Sequence, residues 1–336
     1  MKIGILTFHA AKNYGAVLQC RCLYEVLKSL GHEVSVIDYR PDYLTAPYRL
    51  WKNKFLKHPM TMLKVSASLA GAIRRDSAFD SFEKELNLIQ PGTGGLDAII
   101  YGSDQIWNGH ICGGFDPVFF ADTAGAKDVR NISYAASDGG LLYSEDELKE
   151  FRRLLHNFYR IGVREYPMQQ RMDDAGIPAV VNLDPVLLAG REHVDLLCAP
   201  PVVRQNYILT YEALDNPAVL ATARRTAAEE GLQVVSIARG PYNDGINKYG
   251  PREFVALFRD ASKVVTTSFH AVALCLLYHK DFRYIKSGTP ADERILSLLD
   301  AVGLPCESEG ADYSSVDAKL AGLRTQSINY LKEALQ

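Results

Sequence analysis

A histidine and a serine hydroxyl lie where a predicted strand gives way to a predicted helix, in residues 263–271. The apolar residues before Thr266 predict a buried strand, and the apolar run from Phe269 predicts a helix. A helix N-terminus favours anions, so this junction suits phosphate or carboxylate chemistry. His270 is therefore a candidate general acid or base, and Ser268 is a candidate capping or ligand-binding hydroxyl. A histidine without chemistry and a metal ligand are the alternatives.

An arginine ends another short predicted strand, in residues 160–166. A charged side chain after apolar strand residues is costly unless it projects into a polar cleft. The planar guanidinium of Arg164 can bind phosphate or carboxylate through two hydrogen bonds. Together with His270, it predicts a cationic pocket that contains a titratable base. The alternative is a structural ion pair with the neighbouring Glu165.

Polar side chains and a tryptophan follow a third predicted strand, in residues 101–108. Asp104, Gln105 and Asn108 offer carboxylate and amide groups to sugar hydroxyls. The flat ring of Trp107 can pack on the apolar face of a sugar. This segment predicts either a sugar site or a capped turn with a tryptophan in the core.

The turn after the first predicted strand, Asn13-Tyr14-Gly15-Ala16, occupies the place of the glycine-rich loop in a dinucleotide-binding fold. The GxGxxG signature of such loops is absent, which argues against nucleotide binding here. We expect this turn either to contact another ligand or to cap the following helix through Asn13.

Strands and helices alternate along the whole chain, which is typical of parallel sheets with helices on both faces. The fold class is predicted to be α/β, with two Rossmann-like doubly wound domains, and a ligand cleft is expected between their strand ends. Apolar runs predict strands at 2–7, 33–37, 96–101, 129–134, 207–211, 233–237, 263–266 and 282–285. Helical patterns are strongest at 16–30, 145–158, 167–176, 217–230, 251–261 and 269–278.

Three segments are predicted along the 336 residues. Residues 1–195 form an N-terminal Rossmann-like domain on the acceptor side. Residues 206–310 form a C-terminal Rossmann-like domain on the donor side, after a connector that contains prolines. Residues 311–336 form a C-terminal helix that packs back on the first domain.

Composition narrows the class of function. A formal net charge of −3 gives no support to nucleic-acid binding, which usually shows as a strongly basic domain. No apolar run is long enough to predict a membrane span. Residues 47–75 are basic and amphipathic, so they predict either peripheral contact with an anionic membrane surface or a solvated helical excursion. Neither the six cysteines nor the histidines have the spacing of a metal site, and no metal is predicted.

Four ordered motifs resemble the polysaccharide pyruvyl transferase family: residues 2–19, 102–108, 163–165 and 267–270. The resemblance implies two Rossmann-like domains similar to those of GT-B glycosyltransferases. It also implies phosphoenolpyruvate as donor and no cofactor. The acceptor would be a sugar of a surface polysaccharide, on either a lipid-linked or a nucleotide-linked precursor.

The resemblance also implies roles for particular residues. His270 would be the acid or base, and Arg164 with the backbone at Ser268 and Phe269 would bind the donor. Some relatives carry an arginine at the position of Ser268, so another cation is expected to replace it. The candidates for that cation are Arg239, Lys248 and Arg294. The acceptor would contact Asn13, Tyr14, Asp104, Gln105, Trp107 and Asn108.

The leading hypothesis is a cytoplasmic enzyme that installs a pyruvate ketal on a sugar of a surface polysaccharide, with residues 47–75 beside the inner face of the membrane. Two alternatives belong to other classes. One is a GT-B glycosyltransferase that uses a nucleotide sugar. The other is a non-catalytic sugar-binding protein of a polysaccharide assembly complex.

Overall fold

The computed structural model describes residues 1–46, 62–141, 143–212, 216–237 and 248–336, with the backbone alone for 62–69. Most of the basic stretch predicted at 47–75 therefore lies outside the described residues. In the described part of the chain, no helix is both long enough and apolar enough to cross a membrane.

Strands and helices alternate in the order that the apolar pattern predicts. The strands are β1 Lys2–Leu6, β2 Glu33–Ile37, β3 Leu88–Ile89, β4 Ala98–Tyr101, β5 Arg130–Ser133, β6 Gly162–Val163, β7 Val180–Val181, β8 Tyr207–Tyr211, β9 Gln233–Ile237, β10 Lys263–Thr266 and β11 Asp281–Tyr284. The helices are α1 Tyr14–Ser29, α2 Met62–Glu83, α3 Gly109–Cys112, α4 Glu145–Leu155, α5 Tyr166–Asp174, α6 Pro185–Leu196, α7 Pro217–Glu230, α8 Pro251–Asp260, α9 Phe269–Tyr278, α10 Asp292–Val302 and α11 Tyr313–Ala334.

The chain forms two compact units. Unit 1 comprises Met1–Ala46, Glu83–Ala189 and Leu320–Gln336, and unit 2 comprises Pro47–Phe82 and Gly190–Lys319.

The sheet of unit 1 is parallel, with strand order β3-β2-β1-β4-β5. Backbone hydrogen bonds continue it through β6, where the Ser133 amide donates to the Arg160 carbonyl at 3.1 Å and the Arg164 amide donates to the Ala136 carbonyl at 3.0 Å. Strand β7 then pairs with β6. The direction of strand addition reverses between β1 and β4, and such a reversal opens a ligand crevice at the carboxyl ends of the strands.

Unit 2 has a smaller parallel sheet, with strand order β11-β10-β8-β9. Here the reversal lies between β8 and β10. The helix that follows β10, α9, is apolar along its length, and its residues from Ala271 to Tyr278 are buried. A helix that is apolar on all sides belongs in a core. The two parallel sheets confirm the predicted fold class, an α/β chain with two Rossmann-like domains.

The division of the chain differs from the predicted boundary at residue 195. Gly190 interrupts α6 with φ 74° and ψ 171°, a backbone conformation that no helix contains, and unit 1 ends just before it. Within unit 2, Arg74 pairs with Glu253 at 2.5 Å, which ties α2 to α8. Within unit 1, the Tyr330 hydroxyl of α11 donates to the Ser133 carbonyl at 2.8 Å.

Candidate functional site

Polar side chains gather at the carboxyl ends of the central strands of unit 1. Thr7 follows β1, and its hydroxyl donates to the Ser103 carbonyl after β4 at 2.8 Å. The side-chain amide of Gln19 donates in turn to the Thr7 hydroxyl at 2.9 Å. Asp104 comes next in the chain, with its backbone in the left-handed region at φ 78°. These groups lie at the reversal of strand order, where α/β sheets bind ligands.

The guanidinium of Arg164 lies among three carboxylates at this edge. Its Nη1 atom is 3.3 Å from Asp184 and 3.9 Å from Asp104, and its Nε atom is 3.6 Å from Glu165. Burial on its own would lower the pKa of Arg164, but the carboxylates outweigh it and raise that pKa above its ordinary value. Since the side chain is only 1% exposed, these surroundings favour the structural ion pair over the predicted contact with a donor anion.

Trp107 lies in the aromatic core of unit 1 and is 1% exposed. Its indole N–H donates to the Phe119 carbonyl at 3.0 Å, and its ring stacks on Phe120 with centroids 5.6 Å apart. The edges of Phe151 and Phe158 complete the enclosure. The prediction that this ring presents a face to a sugar is therefore wrong, and the alternative of a core tryptophan is correct.

Asn108 and Gln105 make a local network beside Trp107. The Asn108 side chain accepts hydrogen bonds from the amides of His110 and Ile111, at 3.0 and 3.2 Å, and so caps α3. Its amide nitrogen donates to Gln105 Oε1 at 2.8 Å. Capping explains the position of Asn108, whereas the half-buried Gln105 can still reach a ligand.

Asn13 caps α1, since its side chain accepts from the amides of Gly15 at 2.9 Å and Ala16 at 3.3 Å. The Asn13 side chain remains exposed, whereas Tyr14 is buried. The capping alternative for this turn is thus observed, and contacts of Asn13 and Tyr14 with an acceptor stay predictions.

His270 stands in the first turn of α9, at the carboxyl end of β10 in unit 2. Ser268 is the N-cap, and its hydroxyl accepts from the Ala271 amide at 3.5 Å. The Thr266 hydroxyl accepts from the Ser268 amide at 3.0 Å and fixes the turn. The half-buried imidazole packs edge-on against Phe269, with ring centroids 5.4 Å apart. The turn therefore places the imidazole beside the reversal between β8 and β10.

Two of the three candidate cations belong to the described residues of unit 2. Lys248 is exposed just before α8, with its ammonium 5.5 Å from the centroid of the Tyr249 ring. Arg294 is half-buried in the first turns of α10. Lys248 follows β9 in the chain and Arg294 follows β11. Because the carboxyl ends of parallel strands share one edge of a sheet, we expect both residues near the edge that carries His270. Arg239 lies outside the described residues.

Asp292 holds the loop between β11 and α10, a role that the sequence did not suggest. Its carboxylate accepts from the Tyr284 hydroxyl, from the Ser287 amide at 2.9 Å and from the Gly288 amide at 2.8 Å. Burial alone would raise the pKa of Asp292, but these hydrogen bonds outweigh it and lower that pKa. The network fixes the start of the helix that carries Arg294.

The family model for polysaccharide pyruvyl transferases matches residues 13–288 of the 336. The chain belongs to the polysaccharide pyruvyl transferase family. Membership implies a pyruvyl donor and a sugar acceptor. The matched stretch includes Asp104, Arg164 and His270, and it extends over parts of both units.

The chain is similar to several solved structures at low sequence identity. The UDP-N-acetylglucosamine 2-epimerase from Rickettsia bellii is 11% identical, with a TM-score of 0.47 over 99% of this chain and 96% of that one. UGT89C1 from Arabidopsis thaliana, complexed with UDP-L-rhamnose, is 12% identical, with a TM-score of 0.47 over 99% and 95% of the two chains. No curated protein matches this family member in sequence. Similarities this distant say nothing about its ligands.

The sequence did not suggest a further ion pair in this pyruvyl transferase family member, which joins Asp138, after β5, to Arg171 in α5. The carboxylate of Asp138 is 3.1 Å from the guanidinium of Arg171, and Asp138 is buried. Next to it, Gly139 has φ 77°, and a Cβ atom there would lie 2.3 Å from Asn108 Nδ2 and 2.4 Å from Gln105 Oε1. In the sequence, the small and polar residues at 135–140 after the predicted strand could have indicated this group.

His9 also went unassigned in the sequence, although it follows β1 at the same edge of unit 1. Its Nε2 atom lies 3.0 Å from Asp38 and 3.8 Å from Glu83. Arg40 bridges the two carboxylates, at 2.5 Å from Asp38 and 2.9 Å from Glu83. Among the described residues, His9, Asp38 and Glu83 are the group whose ligand atoms lie close enough together to hold a metal ion. Here the guanidinium of Arg40 already offsets one of the two carboxylate charges.

Proposed function

We propose that this chain transfers the pyruvyl group of phosphoenolpyruvate to a sugar of a surface polysaccharide, or of its lipid-linked precursor, and forms a pyruvate ketal. The observation that carries the proposal is the position of His270 at the N-terminus of α9, at the carboxyl end of β10. Family membership adds the pyruvyl donor and the sugar acceptor.

Ketal formation needs one proton donor and two attacking hydroxyls. The enol CH2 of phosphoenolpyruvate accepts a proton, the neighbouring carbon develops oxocarbenium character, and phosphate leaves. Two hydroxyls of one sugar bond to that carbon and release two protons. One of these replaces the proton taken up by the CH2 carbon, and the other leaves with phosphate. In this proposal His270 delivers and recovers the first proton.

The donor carries both phosphate and carboxylate charges, and unit 2 offers groups that attract them. The N-terminus of α9, at Ser268 and Phe269, has the partial positive charge of a helix dipole. Lys248 and Arg294 are cations that follow β9 and β11 of the same sheet. They are our candidates for the charge that some relatives supply with an arginine at the position of Ser268.

Phosphate release from phosphoenolpyruvate, measured with a panel of lipid-linked saccharides, tests the proposal. Wild type should release phosphate only when the correct acceptor is present. The His270→Ala variant should lose about 10²–10⁴-fold in rate, which is the usual contribution of a general acid or base. His279→Ala is a matched control because His279 is exposed and pairs with Asp317 at 3.0 Å.

Two results would contradict the proposal. One is full activity of His270→Ala. The other is a thermal shift with a UDP-sugar but none with phosphoenolpyruvate, which would select a nucleotide-sugar glycosyltransferase instead.

A further inference from the structure

We propose that Asp104 is the general base that takes the proton from an attacking hydroxyl of the acceptor, and that Arg164 is the residue that positions it. This inference rests on the proposed function and goes beyond it, because it assigns the second catalytic group and the charge type of the ligand that unit 1 binds.

The backbone at Asp104 is the first observation. Asp104 follows β4, the strand beside the reversal of strand order in unit 1. Its φ of 78° lies in the left-handed region, which costs free energy for a residue other than glycine. The Ser137 amide donates to the Asp104 carbonyl at 3.0 Å and holds this conformation. Strained backbone of this kind is concentrated at functional sites.

Exposure distinguishes Asp104 from the other carboxylates around Arg164. The side chains of Asp184 and Glu165 are 0% and 1% exposed, whereas that of Asp104 is 13% exposed. Asp184 accepts from the Val186 amide at 3.0 Å, and Glu165 accepts from the Ser137 hydroxyl. Of the three carboxylates, Asp104 is therefore the one that can reach a ligand.

The net charge of the cluster indicates which ligand it suits. One guanidinium faces three carboxylates, so the group formed by Arg164, Asp104, Glu165 and Asp184 carries about two negative charges when ionised. The nearby pair of Asp138 with Arg171 adds none. Such an edge repels phosphoenolpyruvate and accepts hydrogen bonds from neutral hydroxyls. Unit 1 should therefore bind the sugar, and the anionic donor should depend on the groups of unit 2.

The proposed step balances with the groups already named. The acceptor oxygen uses an electron pair to bond to the pyruvyl carbon, its O–H bond breaks, and the Asp104 carboxylate receives the proton. The resulting carboxylic acid then releases that proton to water, and the phosphate that has left takes up a proton from water. Arg164 contacts neither substrate, and it acts by holding the Asp104 carboxylate in place, with its Nη1 atom 3.9 Å away.

The Asp104→Asn variant keeps the size of the side chain and removes its basicity. We expect kcat for acceptor-dependent phosphate release to fall by about 10²–10⁴-fold, while the Kd for phosphoenolpyruvate stays unchanged in titration calorimetry. Asp104→Glu should recover part of kcat because it restores a carboxylate. Asp146→Asn is the control, since the Asp146 side chain is 94% exposed and pairs with Lys149 at 3.0 Å on the surface of α4, and it should match wild type.

The Arg164→Lys variant separates a positioning role from a donor-binding role. It keeps the buried positive charge but loses the planar geometry that holds the carboxylates. A positioning residue predicts a lower kcat and an unchanged Kd for phosphoenolpyruvate. A donor-binding residue predicts a Kd that rises tenfold or more, about the loss expected for one strong charged contact.

The possible results separate this inference from the proposed function. Full activity of Asp104→Asn, or weaker phosphoenolpyruvate binding in either variant, overturns the inference alone. Wild type that releases no phosphate with any acceptor overturns the proposed function, and the inference falls with it. Circular dichroism on each variant establishes that a loss of kcat is not a loss of fold.

Discussion

The guanidinium of Arg164 lies 3.3 Å from the carboxylate of Asp184, and neither side chain is more than 1% exposed. Two charges removed from water in this way depend on each other, because the interior cannot solvate either one alone. The pair joins the carboxyl end of β6 to the segment after β7, so it holds the edge strands of unit 1 in register.

Replacing Arg164 with methionine should therefore destabilise the protein strongly. We expect a loss of about 3–5 kcal/mol in the free energy of unfolding, since the variant leaves buried carboxylates uncompensated. Urea denaturation measures it. Arg153→Met is the control, because the Arg153 side chain is 56% exposed, and its ion pairs with Asp122 and Glu150 are solvated. Equal losses in the two variants would refute the buried-pair argument.

The Trp107→Ala variant tests the corrected role of that ring. Removal of a buried tryptophan from an aromatic cluster should cost about 3–5 kcal/mol of stability. The acceptor KM of the protein that remains folded should not change, because the ring is enclosed in the core and 1% exposed. Tyr159→Ala, at a residue 61% exposed, should cost far less. A stable Trp107→Ala protein with a raised acceptor KM would restore the sugar-platform interpretation.

Gly139→Ala should disturb the site through Asn108 and Gln105. A methyl group there would lie 2.3 Å from Asn108 Nδ2, so the asparagine that caps α3 must move. Gly113 is a matched control, since its φ is 70° and nothing lies within 4 Å of an added Cβ atom. Both variants should lose about 1–2 kcal/mol from left-handed backbone, and Gly139→Ala should lose more. Equal losses in urea denaturation would show that the contact with Asn108 is unimportant.

Most elements of the fold could be predicted because strands buried on both faces appear as continuous apolar runs. The predicted strands at 207–211, 233–237 and 263–266 match β8, β9 and β10 residue for residue. The exceptions have local causes. A strand of two residues such as β3 shows no periodicity, and the left-handed Gly190 interrupts the helical pattern of α6.

The candidate site, too, could be predicted in part, where it is formed by residues close together in the sequence. The junction that carries Ser268 and His270 is local, so sequence patterns were enough to locate it. The surroundings of Arg164 are not local, because Asp104 and Asp184 reach it from other strand ends. Nor could the apolar neighbours of Trp107 be assigned, since the rings of Phe120, Phe151 and Phe158, all distant from it in sequence, enclose its own.

The hydrogen bonds to Asp292 in unit 2 predict how the stability of the protein depends on pH. The pKa of Asp292 is lowered below its ordinary value of 3.8 in the folded chain, so the unfolded chain binds the proton more readily. Its contribution to stability is therefore fully present above the unfolded pKa, and it is lost as the pH falls below about 4 and through the folded pKa. The Asp292→Asn variant lacks this contribution.

The gap in unfolding free energy between wild type and Asp292→Asn should therefore be constant from about pH 5 to 7, and it should shrink below about pH 4. Urea denaturation at a series of pH values measures that gap. Tyr284→Phe removes one of the hydrogen bonds that lower the pKa of Asp292. The difference in unfolding free energy between wild type and Tyr284→Phe should therefore be smaller, and it should fade over the same pH range. A gap for Asp292→Asn that stays constant down to pH values of about 3 would show that the carboxylate is not preferentially ionised in the folded chain.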